Sequence, residues 1–430
     1  ENIVFRYLSE NLHPDFHTIA LFRKENHELI KDCFLQTIEI AKNLNMINFN
    51  KLYLDGMKIK ANASKSKTFT KEEIDFLSGF VDKHLEEMDK VDKEEDKKYG
   101  ESNGEPKIPD NLTSKRKLRE KVKEILKDMD KAKKQIDQAK TKIKEENVDK
   151  VNLTDIDSRM MKMKKGVYYE QAYNCQLLVE DKGEIIVGNY LSDSPADVNE
   201  TRPTMEKFKQ EQNINLKGIE TFQDNGYSSS ATAEYYEKEG VIAYIPDFAT
   251  TKELHGKAKD ISKFHSDNFK LDFKKNQAVC PEGNNLKFIR KHKDKRYEGW
   301  TNIYRGDKCE NCKSREECIT NKNKHRYKKI KINPLMRKIR LRFKTKEGLE
   351  KYNKRFHKGE VAQAHIEYNL GYREFKMRSK KSCEIEVNLF SLAYNLKKIH
   401  NKLKKSGGGL GETIKKIFFW LDCSPYYLGL

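Results

Sequence analysis

The sequence predicts an α/β protein: a mixed sheet flanked by helices and interrupted by two insertions. Three observations predict it. Short runs of β-branched and aromatic residues alternate with segments of helical period. Two of those runs end in an aspartate beside glycine, at Asp55-Gly56 and at Asp224-Asn225-Gly226. Two stretches, 68–150 and 247–345, break the alternation with a different composition.

Composition bounds the rest. A chain of 430 residues has room for two or three domains. Its 86 Lys and Arg against 67 acids give a formal charge of +19. Such a surplus points to a polyanion, and nucleic acid is the commonest one. Charged residues make up 36% of the chain, above the usual quarter, so some segments are solvated helix or linker. No apolar run approaches the ~20 residues of a membrane span, and no signal peptide is visible, which predicts a cytoplasmic protein. The chain opens Glu1-Asn2-Ile3 without Met, as a fragment or trimmed chain would.

Residues 1–50 read as helices, one starting at Pro14-Asp15-Phe16. Leu52 to Gly56 reads as a short strand closed by a glycine turn. In 68–150, apolar residues at 74, 77, 81, 85 and 88 recur at helical spacing. After a Gly/Pro break at 99–109, Leu118, Val122, Ile125, Met129, Ala132, Ile136, Ala139 and Ile143 form a seam of period 3.5. This predicts an antiparallel helical hairpin, with a seam of the kind a coiled-coil partner fills. Tyr173 to Val179 and Glu184 to Leu191 read as a β-hairpin around Asp181-Lys182-Gly183. A helix follows at about 198–212, then a strand at 218–224, a helix at 228–239 ended by Gly240, and a strand at 241–245. Residues 247–345 are basic and hold four of the eight cysteines, and helices return over 346–404. The tail, 405–430, holds Gly407-Gly408-Gly409 as a linker. With both insertions removed, the core is 51–67, 151–246 and 346–404. Its order of three strands, helix, strand, helix, strand, helix is that of a ribonuclease-H-like domain.

Carboxylates at the ends of the first and fourth strands suit metal-assisted phosphoryl transfer, which needs a nucleophile at neutral pH and neutralised phosphate charge. Mg²⁺ prefers oxygen ligands and keeps several waters, so a few carboxylates suffice. An Asp-Gly pair alone is ordinary turn chemistry; Asp55 and Asp224 gain weight together, each after a strand. Glu360 follows at the start of a helical run. Glu367, seven residues on, faces nearly the same way, and either can supply the third ligand.

Several stretches resemble bacterial insertion-sequence transposases of the DDE class. Phe22-Arg23 resembles a segment before their core. The run from Tyr53 to Ala63 resembles their first-aspartate motif, and Asp224-Asn225-Gly226-Tyr227 the second. Asp157 to Lys162 and Tyr173 to Gln176 resemble the approach to their second strand. Tyr352, Arg355 and Glu360, with Leu370 to Phe375 and Tyr394 to Lys398, resemble their glutamate region. The resemblance implies a catalytic triad of Asp55, Asp224 and Glu360 binding Mg²⁺ or Mn²⁺. It implies cleavage and strand transfer at transposon ends, a homodimer on DNA and a bacterial, nucleoid-associated location. It implies DNA contacts from Tyr352 and Arg355; Arg373 and Arg378 lie in a further basic stretch suited to the same task. The chain departs from the pattern at Gln363-Ala364 and Glu367, which leaves open a decayed or repurposed DNA-binding protein.

Cys280, Cys309, Cys312 and Cys318 include one Cys-x-x-Cys knuckle, and together predict a structural, closed Zn²⁺ site in the inserted basic module. The densest positive runs are 322–331 and 337–346, interleaved with aromatic residues and suited to DNA phosphates.

Overall fold

The computed structural model describes residues 10–94, 115–163, 168–246, 262–293, 300–319 and 327–405, together with Thr251. Two helices open it. α1 (Phe16–Glu25) begins where Asp15 Oδ1 accepts the Thr18 amide at 2.6 Å. α2 (His27–Asn43) buries Ile30, Phe34, Ile38 and Ala41 at three- and four-residue spacing.

β1 (Lys51–Lys60) is longer than the sequence suggested. It does not stop at Gly56, which stays in the strand opposite Gln176. A Cβ there would stand 2.7 Å from both Gln176 Nε2 and Asp197 Oδ1. The glycine answers a need for space, not a turn.

The first insertion holds β2 (Thr68–Thr70), α3 (Lys71–Glu94), α4 (Lys115–Ile125), α5 (Met129–Glu146) and β3 (Lys150–Asn152). β2 and β3 pair antiparallel from Thr68↔Asn152 to Thr70↔Lys150, so the insertion leaves and re-enters the core at one place. The 3.5-residue seam is not one helix. It breaks at Leu126–Asp128, where Asp128 Oδ1 accepts the Lys131 amide and caps α5. Leu118, Val122, Ile125, Ile136 and Ile143 pack with Phe69, Ile74, Leu77 and Val81 in a core of their own. The expected two-helix hairpin is thus a three-helix unit closed by two strands. Its seam is filled from within the chain rather than offered to a coiled-coil partner. The Gly/Pro break at 99–109 lies outside the described residues.

The main sheet adds β4 (Arg159–Lys162), β5 (Tyr169–Glu180), β6 (Ile186–Ser192), β7 (Glu220–Phe222) and β8 (Ile242–Tyr244). β6, β5, β1, β7 and β8 lie side by side in that order, and β4 takes the start of the β5 edge that β6 continues. β1 and β5 are antiparallel, as are β5 and β6; β1, β7 and β8 run parallel. Parallel neighbours need crossovers. α6 (Thr201–Gln212) supplies one, and α7 (Ser230–Glu239), capped by Gly240 at φ +70°, supplies the other.

The second insertion is an antiparallel sheet of β9 (Lys270–Asp272), β10 (Gln277–Val279), β11 (Asn285–Lys293), β12 (Trp300–Gly306) and β13 (Lys329–Ile332), with a one-turn helix α8 (Arg315–Cys318). Phe269, Ala278, Leu286, Tyr304, Ile330 and Ile332 form its small core. The sequence placed its end at 345. However, α9 (Pro334–Phe343) buries Met336, Ile339 and Phe343 in the main core, so the inserted sheet ends with β13.

The chain returns through α10 (Lys346–Asn353), α11 (Arg355–Ala364), a π-helical turn at His365–Asn369 and α12 (Lys380–Lys405). Asn395 of α12 accepts the Ile186 amide and donates to the Ile186 carbonyl, both at 2.9 Å, locking α12 to β6. The Gly407–Gly409 linker lies outside the described residues.

Candidate active site

One register sets the site. Tyr53 of β1 pairs with Phe222 of β7, and Phe222 with Tyr244 of β8. Their buried rings stack at 5.0 and 4.9 Å, each contact worth about 0.5–1.5 kcal/mol beyond area burial. The Tyr53 hydroxyl donates to Asp181 Oδ1 at 2.8 Å. Two residues further along parallel neighbours come Asp55 and Asp224. A strand repeats its facing every second residue, so the register that stacks 53 on 222 places 55 beside 224. Asp55 therefore sits within β1, not at its end, while Asp224 follows β7 and caps the one-turn helix Asn225–Tyr227 through the Gly226 amide at 2.7 Å.

α11 lies over this pair. A Cβ on Gly359 would stand 3.5 Å from Tyr53 Cβ and 4.0 Å from Asp55 Cβ, so the helix backbone runs close above the strand. Arg355, one turn earlier and buried, reaches Asp55 Oδ2 at 3.0 Å and Glu360 Oε1 at 3.8 Å. Glu360 is half exposed. Burial works against the Arg355 charge, but Asp55, Tyr352, Asp224 and Glu360 outweigh it and raise its pKa. Burial pushes the Asp224 carboxyl up, Arg355 pulls it down, and the carboxylates of Asp197 and Glu360 add to the rise. Three acids far apart in sequence thus face one guanidinium.

Glu367 is placed differently. The seven-residue spacing aligns it with Glu360 only on an unbroken 3.6-residue helix, and the π-helical turn at His365–Asn369 breaks that period. Tyr352, expected at DNA, is buried against Phe343, with ring centroids 4.7 Å apart, and bonds to Arg355. As placed, neither Tyr352 nor Arg355 offers a surface to a phosphate. Arg355 pairs with Asp55 instead, and Tyr352 bonds to Arg355.

Residues 279–400 match the family model of the transposase DDE domain. Over that span, little more than a quarter of its length, the chain is similar to DDE-class transposases. No curated protein and no solved structure matches it. The matched span contains Glu360 and the four clustered cysteines but begins after both aspartates, so Asp55 and Asp224 stand on the geometry above.

A fourth carboxylate stands behind the aspartates. Asp197, on the turn before α6, accepts from Asn174 Nδ2 at 2.7 Å and Gln176 Nε2 at 3.0 Å. The sequence reading passed it over. Its one trace there is a pair of buried amide side chains, Asn174 and Gln176, two residues apart on one face of β5.

The four cysteines line one cavity of about 20 Å³ in the second insertion, with Asn284, Gly306 and Lys328 around them. The Asn284 amide donates to Cys280 Sγ at 3.3 Å and the Lys328 amide to Cys309 Sγ at 3.5 Å. Burial raises the Cys318 thiol, Lys328 opposes that, and the other three sulfurs add to it. Among the described residues, no group of three or more His, Cys, Asp or Glu is arranged, as placed, to hold a metal ion. In donor type both groups nevertheless suit one: oxygen-only ligands for Mg²⁺ or Mn²⁺ at the carboxylates, and thiolates for Zn²⁺ at the cysteines.

Arg373 and Arg378 are exposed on the loop before α12. Arg373 lies over the Tyr368 ring at 5.2 Å, and Arg378 Nε donates to the Asn62 carbonyl at 3.1 Å. Residues 322–326 of the first dense basic run lie outside the described residues. Among the described residues no helix is long and apolar enough to cross a membrane.

Proposed function

We propose that this chain is a transposase that cleaves DNA strands at the ends of an insertion sequence and joins them to a target, on a ribonuclease-H-like core with Asp55, Asp224 and Glu360 as the divalent-metal ligands. The observation that carries the reading is the shared register of β1 and β7 with α11 laid across it. It supports a site where acids from three separate segments meet. The strand order β6-β5-β1-β7-β8, with only the first three antiparallel, supports the core assignment.

Bound Mg²⁺ or Mn²⁺ would supply charge neutralisation on the scissile phosphate and a nucleophile at neutral pH. The chain's own residues do the rest. Asp55 is held within a paired strand and Asp224 caps the turn that follows β7, so both are placed beside one another to share a cation. Glu360, half exposed, closes the ligand set from the helix side. Arg355 neutralises part of the carboxylate charge, which in a half-buried setting would otherwise drive the acids apart. Arg373 and Arg378, exposed on the loop before α12, would meet the DNA backbone, and the +19 charge favours the same partner. Two transposon ends call for a homodimer on DNA, in a bacterial cytoplasm and on the nucleoid. A structural Zn²⁺ held by Cys280, Cys309, Cys312 and Cys318 would brace the inserted basic sheet.

Asp55→Asn tests the reading because it keeps size and removes charge. Mg²⁺-dependent nicking of an end-bearing duplex should fall by at least about 10³-fold, on the scale of losing a group required in the transition state. DNA binding should change little. Nicking at the parental rate in this variant would refute the metal-site assignment. Absence of nicking in the parent across Mg²⁺ and Mn²⁺ would favour a repurposed DNA-binding protein.

A further inference from the structure

Both aspartate motifs carry a glycine, and Asp197 stands beside both. A Cβ on Gly56 would stand 2.7 Å from Asp197 Oδ1 and from Gln176 Nε2, and one on Gly226 would stand 2.9 Å from Asp224 Oδ1 and 3.4 Å from Asp197 Oδ2. Asp197 therefore occupies the space that the two motifs leave open, on the side of β1 away from Gly359. Its Oδ1 accepts from the amides of Asn174 and Gln176, which lie opposite Lys58 and Gly56 on β5. Gln176 Nε2 also donates to Asn174 Oδ1 at 3.1 Å, and Gln176 Oε1 accepts from the Tyr227 hydroxyl. Tyr227 is fully buried and ends the turn that Asp224 caps. An unbroken path of side-chain hydrogen bonds thus runs from Asp197 through Gln176 to the Asp224 turn, beside the strand that carries Asp55.

We propose that Asp197 is a positioning residue for the metal site: it clamps the Asp224 turn to β5 and so fixes the spacing between Asp55 and Asp224. β7 ends at Phe222, so the sheet ladder holds Asp55 but leaves Asp224 two residues past its last paired position. Something beyond the ladder must hold that turn, and the Asp197–Gln176–Tyr227 path does. The aspartate itself does not touch the cation in this role. Oδ1 is engaged by two amide donors, and an oxygen so engaged orients its partners.

The inference rests on the metal-site reading, so the test separates the two. Mn²⁺ binding is titrated on the full chain without DNA, by the loss of the free-ion electron paramagnetic resonance signal. Kinetics of nicking are measured alongside. Asp197→Ala should weaken Mn²⁺ binding by roughly 10–100-fold, the usual effect of removing a partner that orients a ligand. It should lower kcat while leaving KM for DNA near the parental value. Asp197→Asn keeps an oxygen that accepts from both amides and should recover most of the loss. Tyr227→Phe, which removes only a hydroxyl from a buried ring, should shift Mn²⁺ affinity in the same direction by less; it carries the test should Asp197→Ala fail to fold. Parental Mn²⁺ affinity in Asp197→Ala or, failing that protein, in Tyr227→Phe overturns the proposal. So does equal loss in Asp197→Ala and Asp197→Asn, which would make the carboxylate charge, not the hydrogen bonds, the active feature. Asp55→Asn is titrated in parallel. If it binds Mn²⁺ normally, the metal-site reading itself fails; if it loses binding while the Asp197 and Tyr227 variants do not, only this inference does.

Discussion

At the scale of residues, a glycine beside an aspartate carried two meanings that only contacts could separate. In sequence, Asp55-Gly56 and Asp224-Asn225-Gly226 are both turn chemistry. In the fold the second is a turn, while the first is mid-strand and kept small by Asp197. Buried acids near the site give a further residue-scale prediction. Glu200 is 4% exposed, and burial lifts its carboxyl from 4.5 to about 7, with Ser192 and Ser194 opposing the shift. Its folded pKa lies above its unfolded one, so the native state holds a proton that the unfolded chain releases between those values. Its contribution to stability is complete below the unfolded pKa and is lost as pH rises through about 7. Glu200→Gln should remove this dependence. The melting temperature of the wild type should fall relative to the variant between about pH 5 and pH 8, where one group can cost up to about 1.4 kcal/mol per unit. Parallel melting curves across that range would show that Glu200 is not held protonated. Of the candidate site, Asp55 and Asp224 stood out in sequence because each follows a strand beside a glycine, whereas Glu360 was singled out over Glu367 only by the family resemblance. Asp197 did not stand out, because its partners Asn174 and Gln176 are 23 and 21 residues away in sequence.

At the scale of elements, strands and helices were read well where the period was clear, and their ends were set by neighbours. β1 runs on to Lys60 because β5 pairs with it residue by residue from Leu52 to Lys60, which no local signal in β1 announces. The seam at 118–143 kept its spacing across a break, so pattern alone could not show that two helices share it. The inserted sheet behaves as one element of this kind, since its core holds only six fully buried apolar side chains among the described residues. A core so small needs a further cross-link, and the proposed Zn²⁺ on the four cysteines that line one cavity would provide it. Protein purified without added metal should contain about one zinc per chain. Cys309→Ser with Cys312→Ser should remove it and unfold the inserted sheet first, seen as lost protection of the β11–β12 amides in hydrogen exchange. A zinc-free parent with those amides fully protected would exclude a structural zinc.

At the scale of the whole molecule, the three hydrophobic cores are separate clusters, one for the main sheet and one for each insertion. The helical insertion joins the core through the short β2–β3 ladder, where Thr70 faces Lys150. Replacing residues 71–149 with an Asn-Gly turn should therefore leave a cooperatively folded core. Phe69 and Val151 would lose their cover, at about 1.5–3 kcal/mol each. A chain that aggregates or melts without cooperativity after this excision would show that the insertion is needed for the core to form. The charge of +19 belongs to the same scale: it is spread over core and insertions, and it was plain from composition.

What the sequence determined by itself was the alternation of strands and helices in the core, the two stretches that interrupt it, and the basic character. Periodicity, composition and turn chemistry are local properties, and they survive without neighbours. What the tertiary structure decided was adjacency: that 53 stacks on 222, that α11 crosses Asp55, that Arg355 is buried among carboxylates, that a π-helical turn interrupts the period between Glu360 and Glu367, and that Asp197 lies beside two glycines. Adjacency depends on sheet register and helix packing between segments more than a hundred residues apart. Those are fixed by the joint burial of many side chains, which no window of the sequence contains.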